Sequence, residues 1–122
     1  MCAFALILFG FGFLSQQKRH EAIFDGSNVK NQDHYDLSFK IMNEEDSHVF
    51  TCGEGDEIKV DFSIEKGNVD ILVAMEEEKP LYKGNQVDQA SFSLIVPKDG
   101  DYVITVKAEH AAGNLSFELV KE

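Results

Sequence analysis

The sequence has 122 residues, 43 % of them hydrophobic, which is enough for one domain whose core needs neither disulfides nor a metal. The formal net charge of -11 at pH 7 repels phosphate groups, so nucleic acid and anionic membrane surfaces are excluded as direct partners of the folded part. The two cysteines, Cys2 and Cys52, form no redox motif, and we expect Cys52 to be a small buried residue of a strand.

The first predicted element is an apolar N-terminal segment. Residues 2–14 carry no charge. Their number fits the apolar core of a signal peptide, about 7–15 residues, better than the roughly 20 residues of a spanning helix. We therefore expect residues 1–21 to be a cleaved leader or a retained membrane anchor, with a basic region and further apolar residues encoded upstream of Met1. The alternative left open is a buried strand or core helix over residues 3–14.

From residue 22 onward, apolar and polar side chains alternate with the period of two that is typical of half-buried strands. The pattern predicts strands over residues 35–42, 47–52, 57–64, 69–75, 90–96, 102–110 and 115–120, with short edge strands at 23–24 and 80–83. Seven such strands, or eight with one of the short edge strands, separated by turn signals, predict an all-β fold. We expect residues 22–122 to form an antiparallel, jelly-roll-like β-sandwich.

Glycines followed by Asp or Asn precede several of these strands. Gly67 fits the positive-φ position that closes a hairpin, and Gly100 and Gly113 stand in the same local pattern. These patterns predict three hairpins, which join residues 57–64 to 69–75, 90–96 to 102–110, and 102–110 to 115–120.

Some apolar residues are out of phase with the predicted core positions of their strands: Leu72, Ala74, Ile95 and Val103. We expect the strands at 35–42 and 47–52 to cover them. If that cover is incomplete, the apolar patch marks an interaction surface.

Residues 47–120 resemble small β-sandwich modules of exported bacterial proteins, in particular the pre-peptidase C-terminal-like domains. The matching positions are turn glycines and core residues: Phe50, Gly55-Asp56-x-Ile58-x-Val60, Gly67-x-Val69-x-Ile71, Phe92-x-Leu94, Asp99-Gly100-Asp101-Tyr102-Val103-Ile104 and Gly113-Asn114-Leu115-x-Phe117. The resemblance implies an extracytoplasmic, non-catalytic module that assists folding, adhesion, substrate contact or anchoring. It carries no catalytic residue over to this chain, and residues 20–46 lie outside it.

Two loop regions are candidates for ligand binding. Acidic residues flank the turns at 54–57 and 99–101, and loops at one end of a sandwich can converge on Ca²⁺, which prefers carboxylate oxygens. The candidate calcium ligands are Glu54, Asp56, Glu57, Asp99 and Asp101. Tyr82 is the aromatic residue that we expect at a loop, where it could stack on a sugar ring.

No catalytic site is expected, because no nucleophile motif occurs and the histidines are scattered along the chain. The sequence therefore predicts a non-enzymatic module of the bacterial cell envelope. No cofactor is expected, and a calcium ion is the one candidate. Its partner is an unidentified protein or glycan outside the membrane. The alternative is a module that binds a glycan or a calcium ion through its loops.

Overall fold

The computed structural model describes residues 22–76 and 78–122, and the predicted leader or anchor at residues 1–21 lies outside them. The described residues form seven strands and no helix, and therefore no helix that could cross a membrane. The strands are β1 Ile23–Lys30, β2 His34–Asn43, β3 Glu45–Cys52, β4 Glu57–Met75, β5 Tyr82–Gly84, β6 Gln89–Ile95 and β7 Gly100–Val120.

Two long strands organise the sheet. β4 has 19 residues and β7 has 21, and they pair antiparallel from Glu57 opposite Val120 to Met75 opposite Tyr102. Their register shifts between Ile64 and Asn68, which is where the paired strands bend.

The bend divides the sheet into two half-sheets. The first half-sheet contains β1, β2, residues 111–120 of β7, residues 57–64 of β4, and β6. The second half-sheet contains β3, residues 100–108 of β7, residues 68–75 of β4, and β5. All pairings are antiparallel, so a single sheet folded on itself makes both layers of a β-sandwich.

The core lies between the two half-sheets. Alternate residues of β2, β3, β4, β6 and β7 point inward and form one hydrophobic cluster, as the period-two pattern predicts. Its largest fully buried side chains include Tyr35, Phe50 and Phe117, and the rings of Tyr35 and Phe117 stack with centroids 5.6 Å apart. The all-β sandwich expected from the sequence is confirmed, and Cys52 is buried in it.

The predicted hairpins are wrong, although Gly67 and Gly113 stand at positions where a Cβ would collide with backbone. Gly67 has φ +82° but lies inside β4, where a Cβ would collide with the carbonyl oxygen of His110 and lie 2.5 Å from Cα of Ala111. Gly113 lies inside β7, where a Cβ would collide with the carbonyl oxygen of Ser63. Both glycines let β4 and β7 approach closely at the bend. The segments before and after each glycine belong to one continuous strand and do not form a hairpin.

The predicted hairpin between residues 90–96 and 102–110 is also wrong, because β6 pairs with β4 and not with β7. The short strands predicted at 23–24 and 80–83 correspond to β1 and β5.

The expected cover over the outward apolar residues is absent. β3 lies beside β7 in the second half-sheet, and β2 belongs to the first, so neither lies over Leu72, Ala74 or Val103. These three residues are half-buried on the outer face, and Ile95 is 62 % exposed on β6.

Candidate functional site

A furrow of about 580 Å³ crosses the outer side of the first half-sheet next to the bend. Its floor follows one register row, in which Gly26 of β1, Phe39 of β2 and Gly113 of β7 lie side by side. Phe39 points into the core and the two glycines have no side chain, so this row presents mainly backbone to the outside. The floor of the furrow is therefore backbone, and its depth comes from the outward side chains of the rows on either side.

The walls of the furrow carry hydrogen-bonding side chains. The next register row places Ser27, Ser38 and Asn114 along one wall, and all three are exposed. Lys40 and Lys66 line the other wall together with Glu65, which is also exposed. The furrow thus offers hydroxyl and amide groups that donate and accept, ammonium groups that donate, and one carboxylate that accepts.

The residues of this furrow were not predicted from the sequence. They come from β1, β2, β4 and β7, and each wall residue taken alone is an ordinary polar position of a half-buried strand. The available signal was the pair Gly26 and Gly113, since a glycine inside a strand often marks a close backbone approach. Only the pairing of β2 with both β1 and β7 brings the two glycines into one row.

Two of the predicted calcium residues, Asp56 and Asp99, accept hydrogen bonds from backbone groups of the turn between β3 and β4. Asp56 is 4 % exposed, and its carboxylate accepts hydrogen bonds from the N–H groups of Gly53 at 2.8 Å and Glu122 at 3.0 Å. Asp99 accepts the N–H of Glu54 at 2.7 Å. These carboxylates hold the turn between β3 and β4 to the C-terminus and to the turn before β7.

Electrostatics around Asp56 fit this structural role. The hydrogen bonds from Gly53 and Glu122, together with Lys121 at 3.1 Å, hold the pKa of Asp56 below its ordinary value. Asp101 is turned toward β3, where it accepts the hydroxyl of Thr51 at 2.8 Å. Within residues 22–76 and 78–122, no three His, Cys, Asp or Glu side chains are grouped to hold a metal.

The calcium site stays a prediction, in which the ion would share the Asp56 and Asp99 carboxylates with the backbone N–H groups that they now accept. The measurement is the melting temperature with and without millimolar calcium, in the wild type and in Asp99→Asn. A rise in the wild type that Asp99→Asn removes would support the site. An unchanged melting temperature in the wild type would eliminate it.

Tyr82 lies in strand β5 on the side of the sandwich away from β1. Its ring packs against Phe92 of β6 with centroids 4.9 Å apart, and the residue is half-buried. Burial raises the pKa of its hydroxyl above the ordinary value. The structure does not bring Tyr82 to the furrow, so sugar stacking at this residue remains a separate prediction.

A polar cluster, here called the edge cluster, joins the two half-sheets beside β1. The hydroxyl of the buried Tyr35 donates to the Asp46 carboxylate at 2.6 Å, Asn28 donates to it at 3.0 Å, and Lys30 pairs with it at 3.2 Å. Burial works to raise the pKa of Asp46, but these hydrogen bonds outweigh it and hold the pKa below its ordinary value. Burial and the bond to Asp46 raise the pKa of Tyr35 well above its ordinary value.

Two candidate nucleophiles among the described residues, Cys52 and Ser116, lack activation. Burial raises the pKa of Cys52 to about 11, so its thiol is protonated at neutral pH. The hydroxyl of Ser116 donates to Asp36 at 2.7 Å, and His34 approaches the other oxygen of the same carboxylate at 3.8 Å. A carboxylate between serine and histidine reverses the order in which a catalytic triad activates its nucleophile.

No protein-family model and no curated protein matches this chain, so the resemblance to pre-peptidase C-terminal domains stays a prediction. Among solved structures, it is similar to PliG of Aeromonas hydrophila, a periplasmic inhibitor of g-type lysozyme, with 13 % identity and a TM-score of 0.47, over 79 % of this chain and 94 % of that one. It is also similar to TmCBM61 in complex with β-1,4-galactotriose, with 17 % identity and a TM-score of 0.42, over 75 % of this chain and 66 % of that one. At these identities and TM-scores, neither ligand nor target carries over.

Proposed function

We propose that this chain is a non-enzymatic binding module of the cell envelope and that its furrow binds a glycan. The observation that carries the proposal is the furrow itself, where a floor of backbone lies between two walls of hydrogen-bonding side chains. Its volume of about 580 Å³ lies in the range of small-molecule sites. Placement outside the cytoplasm rests on the apolar sequence of residues 2–14, and cell fractionation tests that part separately.

The chemistry of the walls fits hydroxyl-rich ligands. Each sugar hydroxyl donates one hydrogen bond and accepts others, so it needs donors and acceptors within the same short distance. Ser38 and Asn114 supply both kinds on one wall, while Lys66 donates and Glu65 accepts on the other. The two lysines also make the furrow less negative than the rest of a chain with a net charge of -11.

Titration of the chain with soluble oligosaccharides of bacterial envelopes, followed by amide chemical shifts, tests this function. We expect shifts at Ser38, Lys66 and Asn114, and an affinity at least about tenfold lower in Asn114→Ala and Lys66→Ala, since each loses one or more hydrogen bonds, some of them charge-assisted.

The matched control is Lys59→Ala, which removes an exposed lysine from the same strand β4 outside the furrow and should leave the affinity unchanged. If Lys59→Ala and Lys66→Ala lose the same affinity, the loss comes from the change in net charge and not from a contact in the furrow. No binding by any of the oligosaccharides would contradict the proposal.

A further inference from the structure

Strand β6 is an edge that lacks the usual protection against pairing. Among the described residues it pairs only with β4, and its register there runs from Gln89 opposite Ser63 to Ile95 opposite Glu57 without a shift. Its seven residues, Gln-Ala-Ser-Phe-Ser-Leu-Ile, contain no charge, proline or glycine. Soluble proteins normally protect an edge strand by charge, proline, a bulge or short length.

The other three edge strands have such protection. β1 carries Asp25 and Lys30 and has a register shift at Gly26. β3 carries Glu45 and Asp46, and β5 is only three residues long. The contrast singles out β6 as the edge on which another strand could pair over its whole length.

The backbone groups of β6 that face outward follow from its pairing. Ile64 N–H donates to the carbonyl of Asp88 at 2.8 Å, and Val96 N–H donates to the carbonyl of Asp56 at 2.8 Å. Because the direction alternates along an antiparallel strand, even-numbered residues face β4 and odd-numbered ones face away. The N–H and C=O groups of residues 89, 91, 93 and 95 therefore point out of the sheet edge.

We propose that β6 pairs antiparallel with β6 of a second copy of this chain, with Phe92 opposite its own counterpart. This register places residue 91 opposite residue 93 and residue 89 opposite residue 95 of the other copy, so every outward backbone group has a partner. The uncharged strand then faces itself without like charges. Phe92, half-buried in one chain, gains a cross-strand aromatic partner.

Charges at the two ends of β6 favour the same pairing. Asp88 comes directly before the strand and Lys98 follows it closely. In the proposed register, Asp88 lies opposite Val96 of the second copy and diagonal to its Lys98, and symmetry repeats this contact at the other end. Lys98 is 56 % exposed and pairs with Glu78 at 3.3 Å in its own chain, so its ammonium group would contact both carboxylates.

The net charge distinguishes this partner from a cationic peptide on the same edge. Two chains with a charge of -11 each repel one another at long range, and salt screens this repulsion. Self-association through β6 should therefore strengthen as ionic strength rises. A basic extended peptide would bind more weakly under the same change.

Sedimentation equilibrium of the full chain, combined with amide hydrogen exchange, tests the pairing. We expect a monomer–dimer equilibrium that shifts to dimer with salt, and exchange at residues 91, 93 and 95 that slows as protein concentration rises. Ser93→Pro removes an outward N–H without touching the bonds to β4 and should weaken dimerisation at least about tenfold.

Ser93→Thr is the control, because it keeps the N–H and should dimerise like the wild type. If Ser93→Pro unfolds, Ser93→Lys tests the same contact by placing two ammonium groups diagonally across the axis. A wild type that stays monomeric at high salt would overturn the proposal, as would concentration-dependent protection outside β6.

Discussion

Gly67→Ala should lower the free energy of unfolding by about 3 kcal/mol, a large part of the stability of a domain of this size. Gly67 has φ +82°, a conformation that strains any residue with a Cβ. Its Cβ would also meet backbone of β7, the carbonyl oxygen of His110 and Cα of Ala111, neither of which can rotate away. The bend of the two long strands would have to open. Urea unfolding, followed by circular dichroism, measures the loss.

Gly53→Ala is the matched control for this prediction. Gly53 lies in the turn before β4, and its Cβ would meet nothing closer than the Asp56 carboxylate oxygen at 3.6 Å, an ordinary van der Waals contact. We expect this variant to stay within about 0.5 kcal/mol of the wild type. If both variants lose the same stability, the close approach at the bend is not the cause.

Asp46→Ala should lower the free energy of unfolding by about 2–3 kcal/mol. The change leaves the hydroxyl of the fully buried Tyr35 without its acceptor and removes the contacts of Asn28 and Lys30 that join β1 to β3. The bond between the His48 ring and the backbone oxygen of Asn31, at 2.7 Å, would remain as a polar contact between the half-sheets on this side. Thermal and urea unfolding of the same variant measure the loss.

Two variants separate the hydrogen bond from the charge. Asp61→Ala removes an exposed carboxylate of β4. Its free energy of unfolding shows how much stability is gained when the net negative charge of the chain is lowered by one. Tyr35→Phe removes the buried hydroxyl, so in this background Asp46→Ala should cost markedly less. Additive losses in the double variant would show that Tyr35 and Asp46 do not act through their hydrogen bond.

The same carboxylate gives the stability a pH dependence of known sign. The folded state holds the pKa of Asp46 below its ordinary value. The unfolded chain, in which Asp46 has its ordinary pKa, therefore binds a proton at a higher pH than the folded chain does. The stabilisation by Asp46 is therefore complete above about pH 4 and is lost as the pH falls further. The difference in the free energy of unfolding between the wild type and Asp46→Ala should therefore become smaller as the pH falls below about 4.

The furrow and the β6 edge belong to the same half-sheet but share no residue. Glycan binding can therefore fail in Asn114→Ala while dimerisation persists, and Ser93→Pro can abolish dimerisation while the furrow stays intact. If both proposals hold, the dimer presents two furrows, which raises the apparent affinity for a polymeric glycan.

The alternating pattern of apolar residues by itself determined the fold class and the core. Ile58, Val60 and Phe62 are all buried, as the period of two requires, because successive side chains of a strand point to opposite faces. The same local rule recovered the approximate positions of β2, β3 and β6. A sequence pattern of this kind is sufficient to predict strand positions and buried residues, because both depend on neighbours along one strand.

Only the tertiary structure decided how the strands are joined and where a ligand could bind. Gly67 and Gly113 resemble hairpin glycines locally, but contact with the neighbouring long strand makes them bend positions inside β4 and β7. Gly26 and Gly113 likewise lie 87 positions apart in sequence and come into one row of the furrow floor only through pairing across β2. Long-range register, unlike side-chain alternation, is set by packing of the whole sheet, so a glycine inside a strand can signal a close approach but not which strand approaches it.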